Sequence, residues 1–92
     1  MNISIAGITF DNIEYDSDGD VLYLHVGDPS TAVDFDESPE GHALRYDENG
    51  RLVGITLVRP RWLMSLGQPI VVTLPQQVTI QPETLTPALT AA

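Results

Sequence analysis

Apolar residues recur along this chain with a period of two rather than 3.6. In Val21-Leu22-Tyr23-Leu24-His25-Val26, the residues Leu22, Leu24 and Val26 fall on one face, with Val21, Tyr23 and His25 opposite. Val33 and Phe35 alternate with Asp34 and Asp36, and Val53, Ile55 and Leu57 alternate with Gly54, Thr56 and Val58. Prolines from Pro29 to Pro87 interrupt most windows that could carry a long amphipathic helix. The pattern predicts an all-β chain, mainly an antiparallel meander of hairpins with about 6–7 strands.

Two turns anchor that expectation. Asp18-Gly19 and Asn49-Gly50 sit between alternating runs, and such pairs supply the positive φ that tight hairpins need. Register follows from keeping like faces together. Setting Asp47 opposite Leu52 brings Tyr46, Leu44 and His42 across from Val53, Ile55 and Leu57. The same reasoning pairs Tyr15 with Leu22 and Ile13 with Leu24. The hairpins are also an internal repeat: Tyr15-Asp16-Ser17-Asp18-Gly19 matches Tyr46-Asp47-Glu48-Asn49-Gly50 at an offset of 31. They are expected to stack in one meander, joined through an acidic strand near Ala32–Glu37.

The flanks are read as follows. Ile3, Ile5, Ile8 and Phe10 suggest an opening strand broken at Gly7, and Ile70–Leu74 a late strand entered through Pro69. Pro60 removes a ladder donor and ends the strand at Val58. Short helical turns are expected near 61–66, closed by Gly67, and near 82–89, opened by Pro82 and kept brief by Pro87. Thr90, Ala91 and Ala92 are expected to fray.

The segments Tyr15-Asp16…Leu22-Tyr23-Leu24 and Tyr46-Asp47-Glu48-Asn49-Gly50-Arg51-Leu52-Val53-Gly54-Ile55 together resemble the small bacterial domain-of-unknown-function family 2283. Its members share a YD…LYL and a YD…G-x-hydrophobic-VGI segment at about this separation. The resemblance covers a core of about 10–58 and leaves 62–92 as a C-terminal extension, within one domain spanning 1–92. It implies a compact antiparallel β fold, with no established activity and no catalytic residues to carry over. Some members are encoded beside small toxin-like proteins, which implies an antitoxin role for part of the family.

Charge narrows the partners. Thirteen carboxylates face four arginines and no lysine, for a net charge of −9. Such a surface repels phosphate backbones and attracts basic partners, so direct nucleic-acid binding is not expected. There is no cysteine, hence no disulfide or thiolate chemistry. No stretch approaches the roughly 18 apolar residues of a membrane span, and the start lacks a secretion signal, so the expected location is the cytoplasm.

Few constellations point to chemistry. Asp16-Ser17-Asp18-Gly19-Asp20 resembles a calcium loop, but Val21 and Gly27 hold the positions that need glycine and glutamate. His25 and His42 have no metal-ligand spacing, so neither a metal nor a cofactor is expected. Two groups could contact a partner: the acidic stretch Asp34, Asp36 and Glu37, read as outward carboxylates guarding a sheet edge, and the basic-aromatic corner Arg59, Arg61 and Trp62. The bland reading of that corner is pairing with its own acidic neighbours.

The preferred function is therefore a non-enzymatic protein-interaction module, forming a homodimer or a hetero-complex. One alternative is an antitoxin-like protein masking a basic toxin. The other is a small ligand-binding domain or enzyme with Tyr23, His25 and carboxylates in a cleft. The strand 52–58 carries apolar residues on both faces, so either the tail from Pro69 to Leu89 or another subunit is expected to cover the second one.

Overall fold

A computed structural model describes residues 1–74 and 76–90. Among them nine strands form three antiparallel sheets. The first is a hairpin of β1 (Ile3–Ile5) and β2 (Ile8–Phe10), and the last a hairpin of β8 (Ile70–Thr73) and β9 (Gln77–Ile80). Between them lies a five-stranded sheet of β3 (Asn12–Asp16), β4 (Val21–His25), β5 (Asp34–Glu37), β6 (Ala43–Tyr46) and β7 (Leu52–Val58), in the order β3-β4-β7-β6-β5. A 3₁₀ turn, Pro29–Thr31, precedes β5, and α1 (Pro60–Ser65) and α2 (Pro82–Thr90) follow the main sheet and the last hairpin.

The expected all-β antiparallel class holds, with nine strands in place of the expected 6–7. The opening run folds back at Ala6-Gly7, with φ of 53° and 79°, and makes a hairpin instead of one broken strand. Gln77–Ile80 was not anticipated as a strand: it is short, alternates Val78 and Ile80 with polar residues, and is stabilised by its partner β8. The acidic strand joins the two central hairpins in sequence but not in space. It pairs outside β6, while β7 docks directly on β4.

That docking places the greasy sides together. Leu22 stands opposite Leu57 and Leu24 opposite Ile55, with Leu44 beside Ile55 on the next strand. All five are buried. Each such side chain contributes roughly 1.5–3 kcal/mol through removal from water. The first and last hairpins and α2 close over this same face, adding Ile3, Ile5, Phe10, Ile70, Val72, Ile80, Leu85 and Leu89 to one cluster. The tail thus covers the face of Ile55 and Leu57, not the opposite one.

Local chemistry accounts for the turns. Tyr15 pairs with Leu22 and Ile13 with Leu24, as the face argument requires. In the first turn, however, Asp20 and not Gly19 carries the positive φ, at 53°. Four residues lie between Asp16 and Val21, and Asp16 Oδ1 accepts from the N–H groups of Asp18 and Gly19, which moves the left-handed residue to the loop's end. The second turn uses Gly50 at φ 77°, with Asp47 Oδ1 accepting from the Asn49 and Arg51 N–H groups. Leu44 meets Ile55 as expected, but a bulge sets Tyr46 opposite Leu52 and leaves Val53 without a partner on β6.

The helices start where proline permits. Pro60 opens α1, and Gly67 donates its N–H to the Met64 carbonyl at its close. Pro87 does not terminate α2, which continues to Thr90, where the hydroxyl donates to the Thr86 carbonyl. Thr90 is thus helical. The fraying expected of Ala91 and Ala92 lies outside the described residues. Among the described residues, no helix is long and apolar enough to cross a membrane.

Candidate functional site

The uncovered side of the five-stranded sheet carries the chemistry. Register aligns Asn12, His25, Gly54, Arg45 and Phe35 in one row across all five strands. A second row runs Glu14, Tyr23, Thr56, Ala43 and Glu37. Tyr23 is 43% exposed and Phe35 66%, and among the described residues no element of the tail packs over them. The Arg45 guanidinium stacks on the Phe35 ring at 5.1 Å, an attraction of a cation to a π face.

His25 keeps the face that alternation gives it but is not exposed there. Alternation places it on the outward face with Tyr23, yet it is buried, because Gly54 opposite it has no side chain. A Cβ at position 54 would stand 2.8 Å from His25 Cδ2 and 3.2 Å from Arg45 Cβ, so the imidazole fills the space a side chain would take. His25 Nδ1 lies 2.9 Å from the Val26 carbonyl. A carbonyl only accepts, so Nδ1 carries a proton, and of the two neutral tautomers the contact selects the one with its lone pair on Nε2. Nε2 is buried with no hydrogen-bond partner among the described residues. Such an orphan costs about 1–3 kcal/mol.

The ring forms part of the wall of a cavity of about 120 Å³, together with Asn12, Glu14, Tyr23, Arg45, Thr56 and, as a lip, Pro29. Glu14 is exposed on β3, and the Asn12 amide donates to the Gly27 carbonyl, leaving its oxygen free to accept. This lining was legible in part: Tyr23 and His25 stood out in the sequence, but Gly54 and Arg45 did not, because only the strand order sets them beside His25.

The acidic stretch occupies the far edge. Asp34, Asp36 and Glu37 are all exposed on β5, which has no neighbouring strand beyond it among the described residues. Their orientation differs from expectation. Asp36 stands opposite Leu44, on the side of the packed face, and it is Phe35 that faces the open one. Because the core ends at Leu44, the carboxylates stay in water even so. Asp36 Oδ1 also accepts from the Glu37 N–H at 2.8 Å, which occupies that edge donor and discourages a further strand from pairing there.

The basic-aromatic corner lies apart, after the end of β7. Arg61 turns inward: its Nη2 donates to the Leu89 carbonyl at 2.6 Å and its guanidinium stacks on the Tyr15 ring at 5.2 Å. Arg59 stacks on Trp62, which is 51% exposed beside a shallow hollow near Glu40 and His42. The acidic neighbour of the corner is Asp20, which accepts from the Tyr15 hydroxyl and from the N–H groups of Arg61 and Trp62. Burial works to raise the Asp20 pKa, but these hydrogen bonds and the Arg61 charge outweigh it and hold the carboxyl below its ordinary range.

Carboxylates thus fall into two kinds. Asp11, Asp16, Asp20, Asp28, Glu40 and Asp47 accept from backbone N–H groups and hold turns or ends together. The one ion pair among the described residues joins Arg51 to Asp47. Among the described residues Glu14, Asp34 and Glu37 enter neither kind of contact; Glu14 and Glu37 lie on the open face, and Asp34, opposite Tyr46, on the other side of the β5 edge. No group of three histidine or carboxylate side chains stands ready for a metal among the described residues.

Comparison with known proteins gives one match. The profile of DUF2283, described as a protein of unknown function, matches residues 12–59, from the first residue of β3 to just past β7. No curated protein matches, and no solved structure matches.

Proposed function

Since this chain belongs to the DUF2283 family, whose description assigns no activity, we propose from its own surface that it is a protein-interaction module whose open sheet face and β5 edge receive a basic protein partner. The observation that carries this reading is the uncovered row ending in Phe35, 66% exposed, with Glu37 on the same face and Asp34 on the other side of the same edge strand, neither in an ion pair among the described residues. An exposed aromatic beside uncompensated charge offers both an anchor and a field. The aromatic fills a partner's pocket, and the carboxylates speed encounter with basic surfaces and reject acidic ones.

The same charges argue against a homodimer through this surface. Two copies meeting there bring Asp34, Asp36 and Glu37 of one against those of the other, and like charges set opposite each other are destabilising. A hetero-complex is the better fit. Masking of a basic toxin by an antitoxin is one form of it, and the family resemblance favours no other form.

Co-purification from the native cell tests the proposal. The wild-type chain should bring down a basic protein that washes off as salt rises, because exposed charges are screened. Asp34→Lys with Glu37→Lys should lose it. Recovery of the chain alone, or of a partner held equally by both forms, contradicts the reading.

A further inference from the structure

The cavity beside His25 is built from acceptors. The Nε2 atom is buried and unpartnered among the described residues, the Glu14 carboxylate forms no ion pair among them, and the Asn12 oxygen is left over once its amide has bonded to Gly27. Thr56 and Tyr23 add hydroxyls that accept as readily as they donate. The one cationic group in the wall, Arg45, has its guanidinium drawn over Phe35. A space of about 120 Å³ is large enough for a side-chain terminus of a few heavy atoms and small for a drug-sized molecule. An anion would meet a lone pair and a carboxylate. A metal ion would find a single imidazole and a single carboxylate, short of the ligand set a tight site needs. What fits is a flat cation with several N–H groups.

We propose that this cavity binds a guanidinium group, supplied by an arginine side chain of the basic partner. The planar fork can donate to the Glu14 carboxylate and to the Asn12 oxygen, with its face on the Tyr23 ring, and it meets His25 Nε2 once the imidazole turns, because in the free chain that atom is sealed in the wall. Gly54 serves this site at one remove, because its missing side chain is what lets the imidazole lie within the wall. The source of the guanidinium rests on the docking reading above. The pocket does not.

Nitrogen-15 spectra of the histidine side chains test it in the full chain. In the free protein, the neutral His25 ring should be the tautomer with its proton on Nδ1. Methylguanidinium chloride, and a short peptide with one arginine, should each move the Nε2 resonance in a saturable way, while sodium chloride at equal ionic strength should not. Glu14→Gln, on an exposed strand position, should weaken both responses about tenfold, the loss of one charge-assisted contact. Asp34→Lys with Glu37→Lys should leave the methylguanidinium response intact while abolishing partner capture, which separates the two readings. No movement of His25, the same movement with sodium chloride, or equal binding of methylammonium overturns the pocket. A response to methylguanidinium but not to the arginine peptide overturns the side-chain source.

Discussion

His25 lies directly opposite Gly54 in the antiparallel pair of β4 and β7, and its ring takes the space that any side chain at 54 would need. The contact joins fold to surface. It buries a polar ring on the otherwise open face and shapes the hollow bounded by Glu14, Tyr23 and Arg45.

Gly54→Ala is accordingly expected to destabilise the chain by about 1–3 kcal/mol, the range for forcing extra atoms into a packed place. Denaturant unfolding measures it. Combining the change with His25→Ala should recover much of the loss, giving a coupling that two unrelated sites would not show.

Asp20 ties the first hairpin turn to the start of α1. Asp20→Ala leaves the Arg61 and Trp62 N–H groups and the Tyr15 hydroxyl without their acceptor. The expected cost is about 1–2 kcal/mol, as for loss of a helix cap. Faster amide exchange should be confined to α1 and the turn before β4.

His42 gives a pH dependence whose sign is set by its burial. Its Nδ1 accepts from the Val58 N–H, and desolvation holds the imidazole pKa below its ordinary value, the nearby Glu40 charge opposing only in part. The unfolded chain therefore takes up this proton first. As pH falls below about 6.5, stability should decline, by at most about 1.4 kcal/mol per pH unit for one proton. The decline should level off below the folded pKa. Thermal melts across that range should show this, and a His42→Gln chain should not.

Self-association offers a further check. Sedimentation of the purified chain should give a single species near 10.0 kDa across a concentration series. A stable dimer that persists in low salt would mean that the charge repulsion argued for the β5 edge does not govern it.

Much of this fold was legible in the sequence because a period of two and turn residues act over a few positions. Those signals placed Leu22, Leu24, Ile55 and Leu57 in one interior and set Tyr15 against Leu22. What they could not carry is order across the sheet. Nothing local says that β7 pairs with β4 or that β5 lies outside β6, and those two facts bring Gly54 and Arg45 to His25. The burial of His25 was missed for that reason. The bulge at Val53 was missed because a three-residue turn at Gly50 shifts register by one position without altering the hydrophobic alternation.

The open face as docking surface is tested most directly by carbodiimide coupling of the chain to the partner it captures. This reagent joins carboxylates to amines, and the chain has no lysine, so apart from the amino terminus every such bond reaches another protein. Cross-links from Glu14, Asp34 and Glu37 to lysines of the partner are expected. Bonds confined to Asp18, Glu48 and Glu83, away from the open rows, would contradict the docking surface.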